Sequence, residues 1–231
     1  MNKQKQKKNT KQGPTRDRNG QVARFMDRDT VNLTMYKIQP PRALVKLQYH
    51  HSGTITQNGA GGASKSWNAN GLYDIDPALA SLSIAGFTEW ATLYGANRVL
   101  RVNVKGSISN AESTPVYCGI GFVNGSVSSN SFRYTSYGNL HCKNLGILSP
   151  KGGQDRCFFN KSVDIEDVVG FYADFGDLTF YGTSSTNPSS IVSFMLGCES
   201  TSALLTTAGM VYDVTITLIC EFTAPIRKTQ F

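Results

Sequence analysis

Residues 210–226 run MVYDVTITLICEFTAPI, and the spacing of apolar side chains in this stretch decides the fold. Met210, Tyr212, Val214, Ile216, Leu218, Cys220 and Phe222 fall on one side, against Asp213, Thr215, Thr217 and Glu221 on the other. Successive Cβ atoms of a strand point to opposite faces, so this alternation describes one long strand with a single buried face. Residues 99–109, VLRVNVKGSIS, repeat it. There Leu100, Val102, Val104 and Ile108 oppose Arg101, Asn103, Lys105, Ser107 and Ser109. Residues 41–55, PRALVKLQYHHSGTI, set Val45, Leu47 and Tyr49 against Lys46, Gln48 and His50.

Two further stretches, PVYCGIGFVNG (115–125) and SSIVSFMLGCES (189–200), are apolar on both faces, as central strands of a sandwich can be. Weaker strand candidates are SKSWNANGLYDI (64–75), DRCFFNKSVDI (155–165) and FYADFGDLTFYG (171–182). About eight strands separated by Gly, Ser, Asn and Pro predict an all-β sandwich or barrel. Helical signals are short. DPALASL (76–82) begins with Asp76 at an N-cap and Pro77 at the first helical position. GFTEWATLYG (86–95) spaces Phe87, Trp90, Ala91 and Tyr94 as an apolar stripe, and DIEDVVG (164–170) allows one turn between Asp164 and Gly170. Helices therefore decorate loops and do not build the core.

Charge divides the chain sharply. Residues 1–28 hold nine Lys or Arg and two Asp, a sum of +7. Residues 29–231 hold fourteen basic and fourteen acidic side chains, so they sum to zero. A polar, cation-rich terminus buries too little apolar surface to offset its ordering entropy, which predicts a disordered arm over 1–28 and a linker over 29–40. Residues 41–231 are then one domain. A solvated tether or localisation signal would have the same composition as the arm. Lys3, Lys5, Lys7, Lys8, Lys11, Arg16, Arg18, Arg24 and Arg28 are the residues that would contact a polyanion, of which nucleic acid is the first choice.

Other signals exclude more than they assign. No apolar run approaches the ~18–20 residues of a membrane span, so no membrane insertion is expected. The charged N-terminus lacks the apolar core of a secretory signal. Five cysteines (Cys118, Cys142, Cys157, Cys198 and Cys220) with no CxxC suit reduced thiols in a protein made in cytoplasm. No GxSxG elbow marks a nucleophile, no cofactor motif stands out, and no enzyme is expected. GAGGASK (59–65) has Ser64 where a phosphate loop needs Gly, and is expected to be a loop between the first two strands. His50 and His51 point to opposite faces and cannot share a metal. Asp74 and Asp76 are weak candidates for calcium, two of the six to eight oxygens it takes, and Asp76 serves equally as a helix cap. Trp90 and Tyr94 could stack on bases, but a periodic aromatic stripe on a short helix is more often core.

The segment GFTEWATLYGANRVLRVNVKGSISN (86–110) carries an aromatic helix, then Arg98-Val99, then the long alternating strand. It resembles the entry into an early strand of the single-jelly-roll capsid proteins of small icosahedral viruses, most of all those of circular Rep-encoding single-stranded DNA (CRESS DNA) viruses. The basic arm, Pro40-Pro41 before the first strand, and about eight strands extend that resemblance along the chain. It implies an eight-stranded antiparallel jelly roll that self-assembles into an icosahedral shell of about sixty subunits (T=1). It also implies a virion location and a single-stranded DNA genome held through the arm without sequence preference, with the host receptor unspecified. The arm could double as a nuclear import signal. A capsid protein of a small positive-strand RNA virus shares the same plan, and a carbohydrate-binding cellular sandwich with a basic tail is the alternative outside viruses.

Overall fold

The computed structural model describes residues 40–56, 62–79, 83–127, 142–150, 155–170, 177–201 and 209–226. The stretch 210–226 forms the last strand, β8 (Met210–Pro225), and the sheet is built around it. On one side β1 (Arg42–Ile55) pairs antiparallel with it from Arg42↔Thr223 to Ile55↔Met210. On the other lies β3 (Tyr94–Asn110), which in turn pairs with β6 (Arg156–Asp164). The second sheet joins β2 (Ala63–Asn68), β4 (Val116–Asn124), β5 (Lys143–Leu148) and β7 (Val192–Ser200). The two orders are β1-β8-β3-β6 and β2-β7-β4-β5, all antiparallel. Eight strands exchanged between two facing sheets in this order are a jelly roll. Residues 41–231 form one unit.

The facing sides of the sheets make the core. Val214, Ile216, Leu218 and Cys220 of β8 and Val102 and Val104 of β3 are fully buried, as are Trp67, Phe194 and Leu196 from the other sheet. Trp67 stacks on Phe194 with ring centres 5.4 Å apart, and Phe122 reaches Phe194 at 5.3 Å. At the far end, Phe222 collects the aromatic stripe, with Phe87 at 6.3 Å, Trp90 at 5.8 Å and Tyr94 at 6.2 Å. The stripe therefore belongs to the core and is not a stacking platform for bases.

Several expectations need correction. In β3 the register shifts between Val99 and Arg101, so Leu100 is the extra residue of a bulge and is only half-buried, while Val99 takes the core position. The helix at 86–95 is only Phe87–Ala91 (α1); Tyr94 shares its buried side from inside β3, so helical spacing and strand pairing coincided. Residues 76–79 form a turn, with Ala78 N donating to Asp76 Oδ1. Ala63, expected in a loop, opens β2, and of the strand candidate 64–75 only Ser64–Asn68 pair in it, so the overlap of the two expectations at Ser64 and Lys65 falls to the strand. The described part of FYADFGDLTFYG is a 3₁₀ turn, Leu178–Phe180, where Asp177 accepts from Thr179 N. The strand that completes the second sheet is instead β5. Residues 164–170 make the expected single turn: α2 spans Ile165–Val169 and stops at Gly170, but Asp164, expected as its cap, makes no side-chain capping bond and accepts from Arg101 instead.

Candidate functional site

The nine arm residues Lys3, Lys5, Lys7, Lys8, Lys11, Arg16, Arg18, Arg24 and Arg28 lie outside the described residues. The strand into which the arm leads is anchored by charge. Arg42 Nη1 lies 3.4 Å from Glu221 Oε1, and Arg98 donates through Nε and Nη2 to Glu221 Oε2 at 2.7 Å. Glu221 is 5% exposed, so two guanidinium groups from neighbouring strands hold one buried carboxylate. Arg98 also lies over the Tyr181 ring, 5.0 Å from its centre.

From there a polar face spreads across the outside of the β1-β8-β3-β6 sheet. Register places Gln48, Thr217, Asn103 and Ser162 in one row, and His50, Thr215, Lys105 and Asn160 in the next. Arg101 donates to both Asp164 oxygens, at 2.5 and 2.9 Å, and these hydrogen bonds hold the guanidinium above its ordinary range. His50 Nε2 is 3.6 Å from Asp213. Arg42, Lys46, Arg98, Arg101, Lys105 and Arg156 stand on this face against Asp164, Asp213 and Glu221, a local excess of three positive charges on a body that sums to zero. Among the described residues Lys46, Lys105 and Arg156 make no ion pair.

Asp76 has a different environment. It is fully buried, with Oδ1 accepting from Lys65 Nζ at 2.5 Å and from Ala78 N at 3.1 Å. His51 Nε2 lies 4.0 Å from its other oxygen, and His51 Nδ1 shares a 3.0 Å hydrogen bond with the Tyr212 hydroxyl. Burial, and then the charge of Asp76, pushes the Tyr49 and Tyr212 phenols up to about 12. Asp74 is raised by burial and then by Asp76. Among the described residues no three His, Cys, Asp or Glu side chains gather as metal ligands. An ammonium already occupies the inner side of the Asp76 carboxylate. The cluster ties β1 and β8 of one sheet to β2 of the other and to the loop after it. Lys65 is the residue that sequence reasoning missed here, because nothing in the pattern of 64–75 brings it to Asp76, eleven residues on.

No protein-family model matches the chain. No curated protein matches it either. Solved structures do. The chain is similar to one from Desmodium yellow mottle tymovirus, at 14% identity over 84% of this chain and 94% of that one, with a TM-score of 0.40. It is similar to one from tobacco necrosis virus, at 11% identity over 80% and 97% with a TM-score of 0.45. A third is the decameric BFDV capsid protein, at 8% identity over 78% and 98% with a TM-score of 0.41. The assignment of the jelly roll rests on the strand order and register of the chain itself.

Proposed function

We propose that the chain is a viral capsid subunit that assembles with copies of itself into a small icosahedral shell and packages a single-stranded genome through its N-terminal arm. One observation carries this reading: all of the net charge of +7 resides in residues 1–28, ahead of a jelly-roll body that sums to zero. A cationic arm neutralises phosphates by releasing counterions and needs no base contacts, which suits a protein that must hold any stretch of a genome. A neutral body can pack against its own copies without a long-range repulsive field. DNA is favoured over RNA by the resemblance of residues 86–110, since phosphate contacts do not distinguish the sugar.

The test is light scattering on purified, nuclease-treated protein, combined with its 260/280 nm absorbance ratio. About sixty copies of the 25.2 kDa chain would weigh about 1.5 MDa and protect nucleic acid from digestion. A small oligomer without nucleic acid across salt and pH would overturn the reading. Sensitivity of the extracted nucleic acid to DNase or to RNase decides the genome type. Changing Lys3, Lys5, Lys7, Lys8 and Lys11 to Gln should empty the particles; unchanged nucleic-acid content would remove the arm from its assigned role.

A further inference from the structure

Phe158 lies on the outer face of β6 and is 74% exposed, although nothing in the fold requires an aromatic ring there. Its neighbours along the same face are Arg156 and Asn160, each about 6.8 Å away in a strand. The Arg156 guanidinium sits 5.4 Å from the ring centre. Across the sheet Lys105 stands beside Asn160, and Ser107 beside Phe158. Between these side chains runs a shallow groove of about 380 Å³, lined by Lys105, Ser107, Phe158, Asn160, Asp213 and Thr215.

We infer that this groove is a second binding site for single-stranded nucleic acid, carried by the body and not by the arm, with Phe158 stacking on a base. The inference rests on the packaging reading for the identity of its occupant. An exposed ring is the one element of such a site that a polyanion-binding face does not otherwise need, because every base offers a π-face and stacking tolerates any sequence. Lys105 and Arg156, which have no carboxylate partner among the described residues, are free to meet phosphates on either side of the stacked base. Asn160 and Asp213 can exchange hydrogen bonds with base edges, and Asp213 lies 3.6 Å from the His50 imidazole. A paired duplex keeps its bases stacked on one another and cannot present one to the ring, so the site takes single strands. A second copy of the same face would bring together two surfaces of like charge, which disfavours that occupant.

The test uses the full chain with Lys3, Lys5, Lys7, Lys8 and Lys11 changed to Gln, so that binding by the body is visible. Fluorescence anisotropy with a labelled oligothymidylate measures affinity over a range of salt. Phe158→Ala should weaken binding about tenfold, and Phe158→Trp should preserve it. Lys105→Gln and Arg156→Gln should each flatten the salt dependence by about 0.7 in log–log slope. Ultraviolet crosslinking to a bromodeoxyuridine oligonucleotide should map to residues 156–160. Unchanged affinity in a Phe158→Ala protein with a native melting transition would overturn the inference. So would a Phe158→Ala protein that fails to form particles yet binds the oligonucleotide normally, because the ring would then belong to a contact between copies. If Phe158→Ala does not fold, the Lys105 and Arg156 slopes and the crosslink decide. The two readings fail separately. Particles without Phe158-dependent binding remove this site alone, and Phe158-dependent binding by a chain that never assembles removes the capsid.

Discussion

The two sheets share a core, yet their outer faces are opposites. In β1-β8-β3-β6 most outward residues are polar or charged, and the strands show the burial alternation of a sheet with one wet side. In the other sheet the central strands β4 and β7 are buried on both sides, with Gly119 opposite Gly197 and Gly121 opposite Met195 where the first sheet carries Asn103 or Lys105. A sheet that is covered on its second face is fixed by packing, whereas one that is open can change its outward residues without disturbing the fold. Function that depends on surface chemistry is therefore expected on the first sheet, and sensitivity to volume on the second.

The largest effects should come from buried groups. Phe194 is fully buried between Trp67 and Phe122, and Phe194→Ala should cost about 3–5 kcal/mol, measured as a fall in the urea midpoint. Lys65→Met leaves the buried Asp76 carboxylate without its ammonium and should cost a similar amount, about 3–5 kcal/mol. A loss below about 1 kcal/mol would mean that the two sheets are not pinned there. Next comes Gly121→Val. A Cβ at Gly121 would approach Cys142 Sγ to 2.6 Å, so overpacking of about 1–3 kcal/mol is expected on this face. The corresponding change on the open sheet, Asn103→Val, should stay within about 0.5 kcal/mol. Equal losses at Gly121 and Asn103 would break the contrast between the faces.

A smaller effect concerns pH. Burial holds the His51 imidazole below its ordinary 6.5, with Lys65 and His50 pressing the same way and Asp76 opposing them. The folded chain then binds fewer protons here than the unfolded chain. The contribution of His51 to stability is complete above about pH 6.5 and is lost as pH falls through the lowered folded value. Urea midpoints between about pH 7.5 and pH 5 should fall in the native chain and fall less in His51→Gln. Smallest of all, thiol labelling should separate the cysteines by cover. Burial pushes Cys198 up to about 12 and raises Cys118 and Cys220 as well, so these three should react only on unfolding, after Cys157.

Much of this fold could be read from side-chain period alone, and the failures have identifiable causes. Residues 210–226 alternate without interruption, and β8 is straight enough to pair along its length with β1. In β3 the bulge at Leu100 moves the core position to Val99, and no alternation pattern marks the extra residue. Lys143–Leu148 escaped notice because β5 is short and its pairing with β4 slips at Gly146, whose φ of 105° interrupts any period. The ion pair of Lys65 and Asp76 depends on a turn that brings residues eleven apart together, so neither sequence position suggests the other. The polar face is a similar case. Alternation shows that Lys46, Lys105 and Arg156 point outward, but only the order β1-β8-β3-β6 makes them neighbours on one surface.

The pairing of the first strand with the last has a practical consequence. Arg42 lies opposite Thr223, and Ile226 N donates to Leu93 O at 2.8 Å, so Arg42 and Ile226 stand at the same end of one sheet. A donor–acceptor dye pair at Pro41 and Ile226 would report the integrity of that end of the sheet by energy transfer.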